Sequence, residues 1–180
     1  MKELRNKVIY QVFPRQYSDS HDFKGVYNDL DRLEKLKVDF LYLLPIHPIG
    51  KLNRKGSIGS PYSISDYRSI NKDLGGTGEF LKLINECHKR NIKVILDIVF
   101  NHTSRDSVLV NESPEWFCRD EDGNLKNRVG DWTDITDFTF DSEDTYAYLI
   151  NTLKLYLKMG VDGFRCDVAP FIPLDFWQVA

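Results

Sequence analysis

The sequence is short of several things, and each shortage removes a class of protein. It holds 3 cysteines, Cys87, Cys118 and Cys166, widely spaced and odd in number, which fits neither a zinc-binding pattern nor a disulfide framework. They read as reduced thiols in a cytoplasmic protein. The net charge is only −3, and Lys and Arg form no basic stripe, which argues against a nucleic-acid partner. No apolar run approaches membrane-spanning length, and the charged opening Met1-Lys2-Glu3-Leu4-Arg5-Asn6-Lys7 has no apolar signal-peptide segment behind it. Neither a membrane nor export is indicated. What is present is 180 residues, 42% hydrophobic and 28% charged, an ordinary globular composition sufficient for one compact domain.

Apolar runs and amphipathic stretches alternate along the chain. Val8 to Phe13, stopped by Pro14, reads as a buried-type strand, after which Val26, Leu30, Leu33 and Leu36 recur at helical spacing. Phe40 to Leu44 is a second strand. Ile46 to Gly75, rich in Gly, Pro, Ser and Asn, is a loop long enough to be functional. Within it Lys51, Arg54 and Lys55 read as solvated. Thr77 is expected to cap a helix whose buried stripe is Phe80, Ile84, Cys87 and His88. Ile92 to Val99 is a third strand, and Phe100 to Asp141 a polar, aromatic excursion whose Trp116, Phe117 and Trp132 read as its small core, with a sugar platform as the competing reading. Ser142 opens a helix carrying Tyr146, Leu149, Ile150, Leu153 and Leu157 at core spacing, ended by Gly160. Val161 to Asp167 is a fourth strand, and another helix begins after Pro173. Such alternation implies an α/β fold of parallel strands with crossover helices. Four strands are half of a (β/α)8 TIM barrel, which takes about 250 residues in full.

The chemistry collects at the strand ends. In Gly163-Phe164-Arg165-Cys166-Asp167-Val168-Ala169-Pro170, alternation along the strand puts Arg165 and Asp167 on one side. A guanidinium beside a carboxylate keeps the carboxylate ionised, the state a nucleophile needs. An Arg–Asp pair satisfied inside a core is the competing reading. Pro45-Ile46-His47-Pro48 follows the second strand and Asp97 to His102 ends the third, so both fall at the same rim.

These stretches resemble, in order, the α-amylase family, glycoside hydrolase family 13. DIVFNH, Asp97 to His102, is similar to its first conserved region and GFRCDVAP, Gly163 to Pro170, to its second. VIYQVFPRQYSDS, SPYSISDYRSINKDLGGTGEF and DFTFDSED also follow family patterns in sequence. The resemblance implies an α-glucan-active retaining glycoside hydrolase cleaving α-1,4 or α-1,6 bonds. A glucanotransferase and a noncatalytic binding module of the same fold are the alternatives. Residue by residue it implies Asp167 as nucleophile, Arg165 orienting it, Tyr62 and His102 binding the sugar, and Asp97 supporting them from behind. It also implies Asn101 and Asp137 as candidates for a structural calcium, with no cofactor required for chemistry. Residues 1–99 correspond to the first part of the barrel, 100–141 to a short B-domain-like excursion after the third strand, and 142–180 to the continuation, cut in its fourth helix. The general acid and third carboxylate are expected beyond Ala180, so the chain alone is expected to be inactive. Its open half-barrel edges favour self-association. The implied partner is an α-glucan or maltooligosaccharide.

Overall fold

In the computed structural model, which describes residues 4–180, short strands and helices follow one another as the apolar pattern requires. Met1, Lys2 and Glu3 of the charged opening lie outside the described residues. The elements run β1 (Ile9–Val12), α1 (Pro14–Tyr17), α2 (Phe23–Asn28), α3 (Leu30–Lys35), β2 (Phe40–Leu43), α4 (Gly76–Lys89), β3 (Lys93–Ile98), β4 (His102–Ser104), α5 (Val108–Glu112), β5 (Ile135–Asp137), α6 (Glu143–Lys158), β6 (Gly163–Cys166) and α7 (Leu174–Val179). One four-stranded sheet has the order β1-β2-β3-β6. β1, β2 and β3 pair in parallel, with Leu41 opposite Tyr10 on one side and Val94 on the other. This is the sequential order of the first half of an eight-stranded barrel, each strand returning through helix to lie beside the last.

The described chain divides into two compact units. One takes the chain up to Ile46, Ser69–Asp97 and Tyr156–Arg165. Its core joins Leu41, Leu43, Val94 and Leu96 of the sheet to Phe23, Val26, Leu30, Leu33, Phe80, Leu83 and Ile84 of the helices. Each face is apolar at its own period, two for strands and 3.6 for helices, so the patterns meet only when the helices lie on the sheet. The other unit takes His47–Arg68, Ile98–Leu155 and Cys166–Ala180. It is built around aromatics: Phe138 lies 4.8 Å from Phe117, and Phe176 packs on Phe100, Phe140 and Tyr146. In it β4 and β5 form a separate antiparallel pair that sets His102 opposite Asp137.

Several local expectations are corrected. The stripe from Val26 to Leu36 is two helices, not one, interrupted at Asp29, whose carboxylate accepts from Tyr17 and Arg32, and Leu36 is exposed. Thr77 does not cap α4; the cap is Gly75, at a φ of 105° that a side chain rarely adopts. His88 leaves the buried stripe and pairs with Asp162 at 2.8 Å, its place taken by Leu83. On α6, Leu157 is exposed while Tyr156 is buried, because the helix turns Leu149, Leu153 and Tyr156 inward at spacings of four and three. The first and fourth strands, read as buried, are the outer strands of the sheet, and Ile9 and Arg165 are exposed. Gly160, at φ 101°, does end α6 as expected.

Candidate active site

Asp167 stands immediately past β6, where the chain must leave the sheet. Its backbone N–H donates to the Ile98 carbonyl at 2.9 Å, and Val168 after it takes a left-handed conformation at φ 40°. A β-branched residue there is strained by about 1–3 kcal/mol, a cost tolerated where the chain has to expose the preceding side chain. Ala169–Phe171 then closes a 3-10 turn. Asp167 is half-buried.

His102 is set on β4, buried to 3% exposure. The hydroxyl of Tyr67 pins the approach to it by donating to the carbonyls of Val99 and His102. Burial pushes the imidazole below its ordinary value, against the pull of Asp167, Asp137 and Asp134 and of a hydrogen bond to the Tyr62 backbone. The ring is therefore neutral near pH 7 and donates without bringing a charge. Because the folded value lies below the unfolded 6.5, the unfolded chain takes the proton first and stability is lost as pH falls below that value. The thermal midpoint should fall more steeply between about pH 7 and about pH 5 in the wild type than in His102→Gln. Equal slopes would show that the imidazole is not held neutral.

Tyr62 is presented by a tight turn, Ser63 N–H donating to the Ser60 carbonyl at 3.1 Å and Tyr62 N–H to Ser60 Oγ at 3.2 Å. Tyr62, His102 and Asp167 line one cavity of about 320 Å³ together with Lys55, Trp132 and Asp134. Thus three residues singled out in the sequence, widely separated along it, converge. Trp132, expected in a small core, instead faces this cavity with its ring 5.5 Å from that of His102. Trp116 and Phe117 are core, as expected. Lys55, read as solvated, lines the cavity too. Asp134 and Lys55 were missed, and Trp132 takes the cavity-facing role that competed with its small-core reading; the available signal for Asp134 was Trp132-Thr133-Asp134, an aromatic beside a carboxylate within a polar excursion.

Asp97 and Arg165 lie in the other unit, at the ends of β3 and β6. Arg165 Nη1 donates to both oxygens of Asp97, at 3.0 and 3.2 Å, and the Tyr42 hydroxyl donates to Asp97 Oδ2. Asp97 is wholly buried, so its charge is supported entirely by partners. Alternation along β6 does not reveal this ion pair. Tyr42, on β2, was not singled out in the sequence at all.

Asn101 and Asp137 are also brought together, Asn101 Nδ2 donating to Asp137 Oδ1 at 3.2 Å. Asn101 Oδ1 is buried without a hydrogen-bond partner among the described residues. Asp137 Oδ2, however, accepts from the Arg128 backbone at 2.9 Å and faces its guanidinium at 3.7 Å. Calcium takes about six to eight oxygens, and no group of three or more His, Cys, Asp or Glu is placed to hold a metal among the described residues. One free amide oxygen beside an arginine-paired carboxylate does not fit the ion.

Comparison with known proteins points to one family. The family model for the alpha amylase catalytic domain matches residues 11–132. The crystal structure of an alpha-amylase from Lactobacillus plantarum is 53% identical, with a TM-score of 0.96 over 98% of this chain and 42% of that one. A noncanonic maltogenic alpha-amylase from Thermotoga neapolitana is 41% identical, with a TM-score of 0.92 and the same coverage of 98% and 42%. An alpha-1,4-glucan:maltose-1-phosphate maltosyltransferase from Picrophilus torridus is 31% identical over 94% of this chain and 29% of its own length. The chain thus spans less than half of the length of these proteins.

Proposed function

Because the chain belongs to the α-amylase family, we propose that it supplies the nucleophile and the sugar-holding cavity of a retaining glycoside hydrolase acting on α-1,4- or α-1,6-linked glucans. The convergence of Tyr62, His102 and Asp167 on one cavity carries the reading. Asp167 attacks the anomeric carbon as the bond to the leaving oxygen breaks, giving a glycosyl ester; water then cleaves the ester, and two inversions retain the configuration. The leaving oxygen takes a proton from a general acid as it departs. His102 forms part of the wall against which the sugar lies, and the ring of Tyr62 covers the apolar face of the pyranose. Arg165, anchored on Asp97, steadies the strand end from which Asp167 projects.

A transferase differs only in the second step, where a sugar hydroxyl replaces water, and the maltosyltransferase relative supports keeping that outcome open. A noncatalytic binding module is less well supported, since both Asp167 and Arg165 are present. The substrate of this reading is an α-glucan or maltooligosaccharide. Among the described residues no helix is long and apolar enough to cross a membrane, and Cys87, Cys118 and Cys166 are free thiols. A reducing, cytoplasmic setting suits them.

The test uses an α-glucosyl fluoride with a second fluorine on the ring. Its fluoride departs without a proton, so the test needs no general acid, and the ring fluorine slows hydrolysis of the ester. Intact mass is expected to show one added glycosyl group, and peptide fragmentation to place it on Asp167. An adduct on another residue, or none, would remove Asp167 as nucleophile.

A further inference from the structure

Lys55 and Asp134 line the same cavity and have no part in the chemistry above. The Lys55 ammonium donates to the Asp131 carbonyl and stands 3.9 Å from Asp134 Oδ1. The Asp134 side chain is only 6% exposed, and its Oδ2 has no hydrogen-bond partner among the described residues. At 3.9 Å the two charges attract but do not hydrogen-bond, so each keeps unfilled capacity. A buried acceptor left unmatched is costly, so Asp134 lines the cavity with hydrogen-bonding capacity that the described residues do not fill.

We propose that Lys55 and Asp134 are a specificity-determining pair that reads the hydroxyls of an uncharged gluco-oligosaccharide in the cavity of Asp167. The inference rests on the glycosidase reading. A sugar hydroxyl both donates and accepts, so one hydroxyl can donate to Asp134 while accepting from Lys55, completing both groups at once. Trp132 adds an aromatic wall to the same cavity. The segment that bears Asp134 is tied down: Asn53 Nδ2 and Arg105 Nε donate to the Thr133 carbonyl at 3.3 and 2.8 Å, and Ser63 Oγ to the Asp134 carbonyl at 2.9 Å. The pair is therefore held in place before any sugar arrives. Charge then selects the class of ligand. Asp134 and Asp167 outnumber the one ammonium of Lys55 in the lining, so a phosphorylated sugar meets net repulsion and a neutral one does not.

Titration calorimetry of the chain with maltotriose, maltose and maltose 1-phosphate tests this. Lys55→Met and Asp134→Asn are each expected to weaken maltotriose binding by about tenfold, and the double variant to be little weaker than either single one, because they act together. Maltose 1-phosphate is expected to bind the wild type at least about tenfold more weakly than maltose. If Tyr62→Ala loses binding while both pair variants stay within about twofold of wild type, the pair is overturned and the glycosidase reading stands. If the wild type binds no maltotriose, both fall. Equal binding of maltose and its phosphate overturns the assignment to uncharged sugars. Lys55 lies on an exposed loop, so Lys55→Met keeps the test decisive should circular dichroism show Asp134→Asn unfolded.

Discussion

Asp167→Asn is expected to lower α-glucan hydrolysis by the active enzyme at least about 10^4-fold, while its thermal midpoint stays within about 2 °C of wild type. Asparagine matches aspartate in shape but cannot form the glycosyl ester through an ionised oxygen. The backbone bond from residue 167 to the Ile98 carbonyl is untouched by the change. Asp167 is half-buried and lines the cavity, so its loss removes no core packing. A rate drop under about tenfold would place the nucleophile elsewhere. A large fall in midpoint would mean that the carboxylate is structural, the competing reading of the Arg–Asp motif.

Asp97→Ala is expected to destabilise the fold by about 3 kcal/mol, seen as a midpoint about 6–12 °C lower. The aspartate is wholly buried, and its loss leaves the Arg165 guanidinium and the Tyr42 hydroxyl without their acceptor. Arg165 is 44% exposed at its side chain, so water compensates part of the loss, which keeps the figure at the lower end for a broken buried pair. Tyr42→Phe removes one hydrogen bond and should cost about 1 kcal/mol. Activity should fall with Asp97→Ala, since β3 and β6 carry the strand ends from which the cavity residues follow. Differential scanning calorimetry of the two variants decides: if alanine costs no more than phenylalanine, the ion pair does not hold the strand ends together.

Much of the site was legible because its residues sit where apolar runs stop. His102 and Asp167 each follow such a run, whereas Tyr62 was picked out only by the resemblance of its loop to a family pattern; the three meet in one cavity. Lys55 was not legible, since a lysine in a polar loop looks solvated until the partner across the fold is known. The same holds for Asp29, whose pairing with Tyr17 and Arg32 accompanies a break in a stripe that the apolar spacing alone would continue.

Hydrophobic periodicity, turn residues and chain order by themselves determined the alternation of strand and helix, the parallel sheet and the rim at which the chemistry lies. These are local properties: a period of two or 3.6 and a glycine at φ 101° act over a few residues. Which carboxylate meets which cation was decided by tertiary structure alone. Arg165 pairs with Asp97, 68 residues away in sequence, and Lys55 finds Asp134 only when separate loops fold together. Coulomb attraction and hydrogen bonding depend on distance in space, and folding sets that distance without regard to separation along the chain.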